Sequence, residues 1–144
     1  MTNGGEIIMK KKILFGMGTC MLALGIAGAA SAAGSWSGET TLDLPGDGSS
    51  VYGASKGVPY KQKVSGDTKA AFYGIAKTSS LSSTGRVVNS SKTDRSSTMV
   101  VAPGYKSSAS TTASNGYSYN VRLNADTWQV GTDSVRFKWS PDNP

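Results

Sequence analysis

Tyr117, Tyr119, Val121 and Leu123 alternate with Ser118, Asn120, Arg122 and Asn124, and Val135, Phe137 and Trp139 alternate with Arg136, Lys138 and Ser140. A period of two sends one set to one face of an extended chain and the other set to the opposite face. This commits the last third of the chain to half-buried antiparallel strands. Asn115-Gly116, just before the first run, has the composition of a tight hairpin turn, with residues 107–112 as the expected partner strand. Gly131 introduces the second run and Pro141 stops it.

The opposite end of the chain has a different design. Lys10, Lys11 and Lys12 precede an apolar stretch over residues 13–27, and Ala30-Ser31-Ala32 supplies a small-x-small cleavage pattern. Residues 9–32 therefore read as a secretory signal peptide, cut after Ala32 or Ala33. The apolar stretch is short of the about 20 residues that a membrane span needs, and no basic stop-transfer cluster follows it. Contact with the membrane is thus expected only through the leader, before cleavage. Cys20 does not follow a Leu-x-small run, so lipidation is not expected. Residues 1–8 place Glu6 ahead of the lysines, and Gly4-Gly5-Glu6 reads back to a purine-rich codon run of ribosome-binding type. We read these eight residues as an upstream extension, with translation beginning at Met9.

Residues 33–144 remain as one domain's worth of sequence. The segment is rich in Ser, Thr and Gly, its only Leu residues are Leu42, Leu44, Leu81 and Leu123, and its only Glu is Glu39. Such a mixture favours strands and turns over helices. Cleavage removes the only cysteine, so no internal disulfide can staple the fold and the core must hold it. Residues 33–57 are broken by repeated glycines and read as a flexible N-terminal segment, with one edge strand over 39–44 ended by Pro45-Gly46-Asp47-Gly48. Residues 58–144 read as the folded domain. Strands are expected over 58–64, where Pro59 demands an edge position, and over 68–77, 86–89 and 98–102. The 68–77 run is the one segment whose alanines also fit a helix. Seven or eight short strands predict an all-β fold, a single small antiparallel β-sandwich of immunoglobulin-like size. Phe72, Trp128, Phe137 and Trp139 are the expected core anchors.

Chemistry is sparse by comparison. The chain has no histidine and loses its cysteine with the leader, which removes His-dependent nucleophilic machinery and the usual zinc, copper and iron ligand sets. No catalytic, cofactor-binding or metal site is expected, and the protein is not expected to be an enzyme. Asp43 and Asp47 lie in a Gly-rich loop with Ser49, but without the spacing of a calcium loop, and they read as turn formers. The leader takes three of the 15 Lys and Arg, and the upstream extension one of the 9 Asp and Glu, leaving 12 against 8, a net +4. These charges are dispersed, unlike the basic stripe that nucleic-acid binding requires, and no nucleic-acid partner is expected. A mild positive charge does suit an anionic cell-wall polymer or envelope surface. Exposed tyrosines are the remaining handle, with Tyr105, Tyr117 and Tyr119 as the candidate ligand-stacking residues.

The leader, the cysteine-free remainder and the Gly116-Tyr117-Ser118-Tyr119 and Val135-Arg136-Phe137-Lys138-Trp139 runs together resemble the small secreted β-rich proteins of Gram-positive Firmicutes, a group of unknown function. The lactococcin-like bacteriocins are a more distant resemblance. The leader, the sparse chemistry and the mild positive charge together point to a secreted, extracellular, non-catalytic binding protein acting at or near the cell envelope, with a cell-wall polymer or a target-cell envelope as its partner. A bacteriocin-like antimicrobial protein and an extracellular matrix protein that self-assembles are the two alternatives.

Overall fold

The computed structural model describes residues 34–80, 82–125 and 131–144. The leader, the upstream extension and the expected anchor Trp128 lie outside the described residues. Nine strands are present among those described: β1 (Thr40–Pro45), β2 (Val51–Tyr52), β3 (Lys61–Gln62), β4 (Lys69–Lys77), β5 (Ser83–Val88), β6 (Met99–Val100), β7 (Lys106–Ser110), β8 (Ser118–Ala125) and β9 (Thr132–Ser140). A short 3-10 turn over Gly53–Lys56 is the one helical element among them. The strands form two antiparallel sheets, one ordered β1-β9-β4-β7, the other β2-β8-β5-β6 with β3 also on β8. The fold is an all-β sandwich.

Alternation builds its interior. From β9 come Val135, Phe137 and Trp139, and from β8 come Val121 and Leu123, all with no measurable exposure. β4 adds Ala70 and Phe72, whose ring lies 5.8 Å from that of Phe137. The 68–77 run is a strand despite its alanines, because β9 on one side and β7 on the other take its backbone groups. Ala70 and Ala71 are both fully buried.

Two expectations are corrected. Residues 33–57 are not a loose arm. β1 pairs with β9 over six registered positions, and Leu42, Leu44 and Val51 are core residues, so the sandwich begins well before residue 58. The glycines of this segment punctuate β1, β2 and the 3-10 turn instead of preventing them. The second correction concerns the hairpin. Gly116 does adopt the left-handed conformation of a turn (φ 86°), but β7 pairs with β4 and β8 pairs with β5, β2 and β3. The residues between β7 and β8 carry the chain from one sheet to the other, a longer path than a two-residue hairpin allows.

A β-bulge between Gly74 and Ala76 interrupts β4 opposite β9. There the 102–105 loop docks directly on the strand. The Gly74 N–H donates to the Tyr105 carbonyl at 3.1 Å, and the Gly104 N–H donates to the Gly74 carbonyl at 2.9 Å. A Cβ on Gly74 would sit 2.0 Å from the Ala102 carbonyl oxygen, so only glycine fits this crossing. The loop so fixed leads straight into Tyr105 and Lys106.

Candidate functional site

Register decides which side chains share the outer face of the first sheet. Tyr73 on β4 stands opposite Lys106 of β7 on one side and Lys138 of β9 on the other, so all three emerge on one face. Lys138 lies 3.9 Å from Glu39 at the β1 margin, and Arg136 lies 4.0 Å from the same carboxylate. Both pairs are half-exposed and contribute little to stability.

Trp36 completes this row. Residues 34–38 extend the β1 edge alongside the end of β9: the Ser37 N–H donates to the Trp139 carbonyl at 2.8 Å, and the Trp139 N–H donates to the Ser37 hydroxyl at 3.0 Å. The Trp36 indole then stands edge-on to Tyr73, with ring centroids 6.2 Å apart and planes at 60°, and the Lys106 ammonium lies 5.7 Å from its ring centre. Edge-to-face packing and the cation hold a half-buried indole in one orientation. Tyr105, adjacent in sequence, is 55% exposed. An aromatic and cationic surface results, built from β1, β4, β7 and β9 together.

Trp36 is also one of the residues lining a cleft of about 310 Å³, together with Glu39, Val58, Tyr60, Lys61 and Trp139. Tyr60 is 48% exposed at its margin. Lys61 donates to the Ser35 hydroxyl at 3.0 Å, which ties the Trp36 segment to β3 across the open edge of the sandwich. Trp139 is wholly buried, and its indole N–H, the one polar atom of that side chain, has no hydrogen-bond partner among the described residues.

The segment after β9 is locked to the segment after β3. Asp142 accepts from the Lys63 ammonium at 3.1 Å, from the Ser65 hydroxyl at 2.5 Å, and from the N–H groups of Val64 and Ser65. Lys63 also donates to the Pro141 carbonyl at 2.9 Å, and both members of the ion pair are buried. Burial alone would raise the Asp142 pKa, but the donors from Ser65, Val64 and Lys63 outweigh it and hold the carboxyl below its ordinary value. A second buried pair, Lys77 with Asp133 at 3.2 Å, joins the end of β4 to the start of β9. Asp133 also accepts from the Ser79 N–H at 2.9 Å.

On the other sheet, Arg86 and Arg122 stand directly opposite in register, a repulsive arrangement. Asp94 resolves it, accepting from Arg86 at 2.6 Å and from Arg122 at 3.1 Å on a single oxygen. A polar groove of about 470 Å³ adjoins this cluster, lined by Arg86, Asp94, Arg95 and the hydroxyls of Thr98 and Thr111 among others.

The sequence-derived tyrosines separate into different settings. Tyr105 precedes Lys106 in sequence and is exposed, with no ring contact to Trp36 among the described residues. Tyr117 is 68% exposed, but it flanks Lys63, whose N–H donates to the Tyr117 carbonyl. Tyr119 is 5% exposed, and its hydroxyl accepts from the Ser114 N–H at 2.7 Å, so it presents no ring face to solvent. No ring contact joins the three among the described residues. Trp36, the organising residue, was missed. Its one sequence trace is a lone tryptophan in a Gly-Ser-Trp-Ser-Gly run, where no periodicity marks it as core. In the 43–49 loop, Asp47 caps the Ser49 N–H at 2.9 Å, and the hydroxyl and N–H of Ser49 lower its pKa. Asp43 instead accepts from the Ser134 hydroxyl. Among the described residues no three His, Cys, Asp or Glu side chains are grouped to hold a metal ion.

Comparison with protein-family models, with curated proteins and with solved structures finds no match to this chain.

Proposed function

We propose that the protein is a secreted, non-catalytic binding protein that acts at the cell envelope and grips a cell-wall polymer through the Trp36 surface. The observation that carries this reading is the Trp36 indole itself, steadied by Tyr73 and Lys106 on the outer face of a sheet, in a residue that also lines a cleft. Rigid aromatic rings offer large contact area at low entropic cost, the usual basis for holding a sugar ring. Lys106 and Lys138 add the positive charge that an anionic glycopolymer attracts. The leader read from residues 9–32 supplies the route to that location.

Co-sedimentation with purified Gram-positive cell walls tests the proposal. Saturable retention is expected, with Trp36→Ala weakening it by about tenfold or more, the scale of a hot-spot aromatic. Retention that Trp36→Ala leaves unchanged would move the site elsewhere. Growth inhibition around purified protein would favour the antimicrobial alternative, and concentration-dependent polymerisation the matrix one.

A further inference from the structure

We infer that the polar groove between β5 and the end of β7 binds the phosphodiester groups of a polyol phosphate chain, with Arg86 and Arg95 as its cationic donors. This deepens the envelope-binding reading, resting on it for the presence of such a chain, and adds a second point of attachment.

The groove, of about 470 Å³, forms where residues 94–97 close one side of the sandwich. The Arg95 N–H donates to the Val87 carbonyl at 2.7 Å, the Arg95 carbonyl accepts from the Thr112 N–H at 2.7 Å, and the Ser97 N–H donates to the Ser110 carbonyl at 3.0 Å. The backbone of Arg95 is thereby paired on both sides, and its side chain is what it has left to offer a ligand. The side chains in and beside the groove are richer in donors than in acceptors. Asp94 is the one carboxylate among the lining residues. Its Oδ2 already accepts from Arg86 and Arg122, and its Oδ1 is buried. Arg86, Arg95 and Arg122 against this single carboxylate leave a local net charge of +2. The Arg86 guanidinium is 37% exposed, so it stays open to a ligand beside its bond to Asp94. Arg95 is half-buried, and its guanidinium has no ion pair or hydrogen bond among the described residues. The Thr98 hydroxyl accepts from the Arg86 Nε at 2.8 Å, which leaves its own hydrogen to donate. The hydroxyls of Ser97 and Ser110 are exposed and likewise without a partner among the described residues.

A ligand suited to this lining brings negative charge and acceptors together. A phosphodiester does both, and a guanidinium matches its oxygens in geometry. No aromatic residue lines the groove, so it lacks the stacking platforms on which single-stranded nucleic acid is held; a carrier of polyol or sugar units is favoured over one of bases. A concave groove also admits a single chain, whereas a flat bilayer surface does not reach its floor. β7 connects the groove to the Trp36 surface: Lys106 at its start lies over the indole, and Ser110 at its end lines the groove. That length of strand spans roughly 14 Å, close enough for one polymer chain to engage both.

The experiment is a titration of the 15N-labelled protein with purified poly(glycerol phosphate), followed at the arginine Nε–H resonances, with polyglutamate at the same charge concentration as the control. Loss of one resonance in Arg95→Ala, which leaves the backbone bonds of residue 95 in place, assigns the Arg95 signal. The expected result is a saturable shift of that resonance with poly(glycerol phosphate) and none with polyglutamate. Arg95→Ala is expected to weaken the binding by about tenfold. Lys56→Ala removes the same charge at an exposed position that does not line the groove, and it is expected to change the affinity by no more than about twofold. An unmoved Arg95 resonance, equal shifts with polyglutamate, or equal losses in the two variants overturns the inference. Cell-wall retention of the same proteins separates the two levels. Retention that Trp36→Ala weakens, with the Arg95 resonance unmoved by poly(glycerol phosphate), sinks the groove and leaves the envelope reading intact. A shifted Arg95 resonance in a protein that intact walls do not retain sinks the envelope reading and leaves the groove as a phosphodiester site.

Discussion

Asp142 has an acid-labile role that follows from its surroundings. Its carboxylate satisfies a buried ammonium, two backbone N–H groups and a hydroxyl, and these donors hold its pKa below the ordinary 3.8. A carboxyl whose pKa is depressed by folding contributes stability above its unfolded pKa, and that contribution disappears as pH falls through the folded value. Resistance to urea contributed by this residue is therefore expected to be constant from neutral pH to about 5 and to decline below about 4. Asp142→Asn should lower the midpoint at pH 7 and flatten the decline below pH 4. Urea titrations of the two proteins across that range check it; parallel acid limbs would assign the acid sensitivity to other carboxylates.

At the scale of elements, the crossing of β4 by the 102–105 loop is the tightest backbone contact. Gly74→Ala places a methyl against the Ala102 carbonyl, where backbone rather than a mobile side chain must yield. The expected cost is about 3 kcal/mol, read as a fall in unfolding free energy, with Tyr105 and Lys106 displaced and cell-wall retention reduced in parallel. Retained stability would mean that the bulge relaxes without cost.

Elements differ in how far they could be read from the chain. β4, β8 and β9 announce themselves through long apolar or alternating runs, and β1 through Leu42 and Leu44 at a spacing of two ended by a turn. β2, β3 and β6 are two residues each, too short to hold a period, and exist because β8 and β5 offer them a partner edge. The pairing of β7 with β4 was hidden because Asn115-Gly116 is a true turn whose local geometry says nothing about the sheet on either side. The site was less legible than the fold. Trp36 sits in a segment without pattern, and its partners Tyr73 and Lys106 are joined to it only by the register of three strands. The Lys63–Asp142 pair bridges a sequence separation of 79 and has no local trace.

At the scale of the folded unit, the segment after β9 is fastened back onto the sheet. Residues 141–144 fold back over the outer face of the first sheet, where Asn143 accepts from the Ser108 hydroxyl and the Pro144 carbonyl accepts from Lys106. Gly34 packs so closely on Asp142 that a Cβ there would lie 2.2 Å from the Asp142 Cβ, so the two ends of the domain meet. Removal of residues 141–144 is expected to cost about 3–5 kcal/mol, because it leaves Lys63 buried without its counter-charge. Equilibrium unfolding of the truncated protein measures this, and a loss under about 1 kcal/mol would show that water replaces Asp142 at no great penalty.

The position of β9 has a consequence for the order of events in the cell. It is the last of the described strands and lies between β1 and β4. A ribosome releases β1 and β4 well before the strand that joins them, so these two cannot be united in one sheet until β9 has emerged. Until then β1 and β4 lack the partner that joins them, and an unfolded chain is the form that a translocation channel accepts. Under the export proposed above, late closure by β9 helps to keep the polypeptide threadable while it is being threaded.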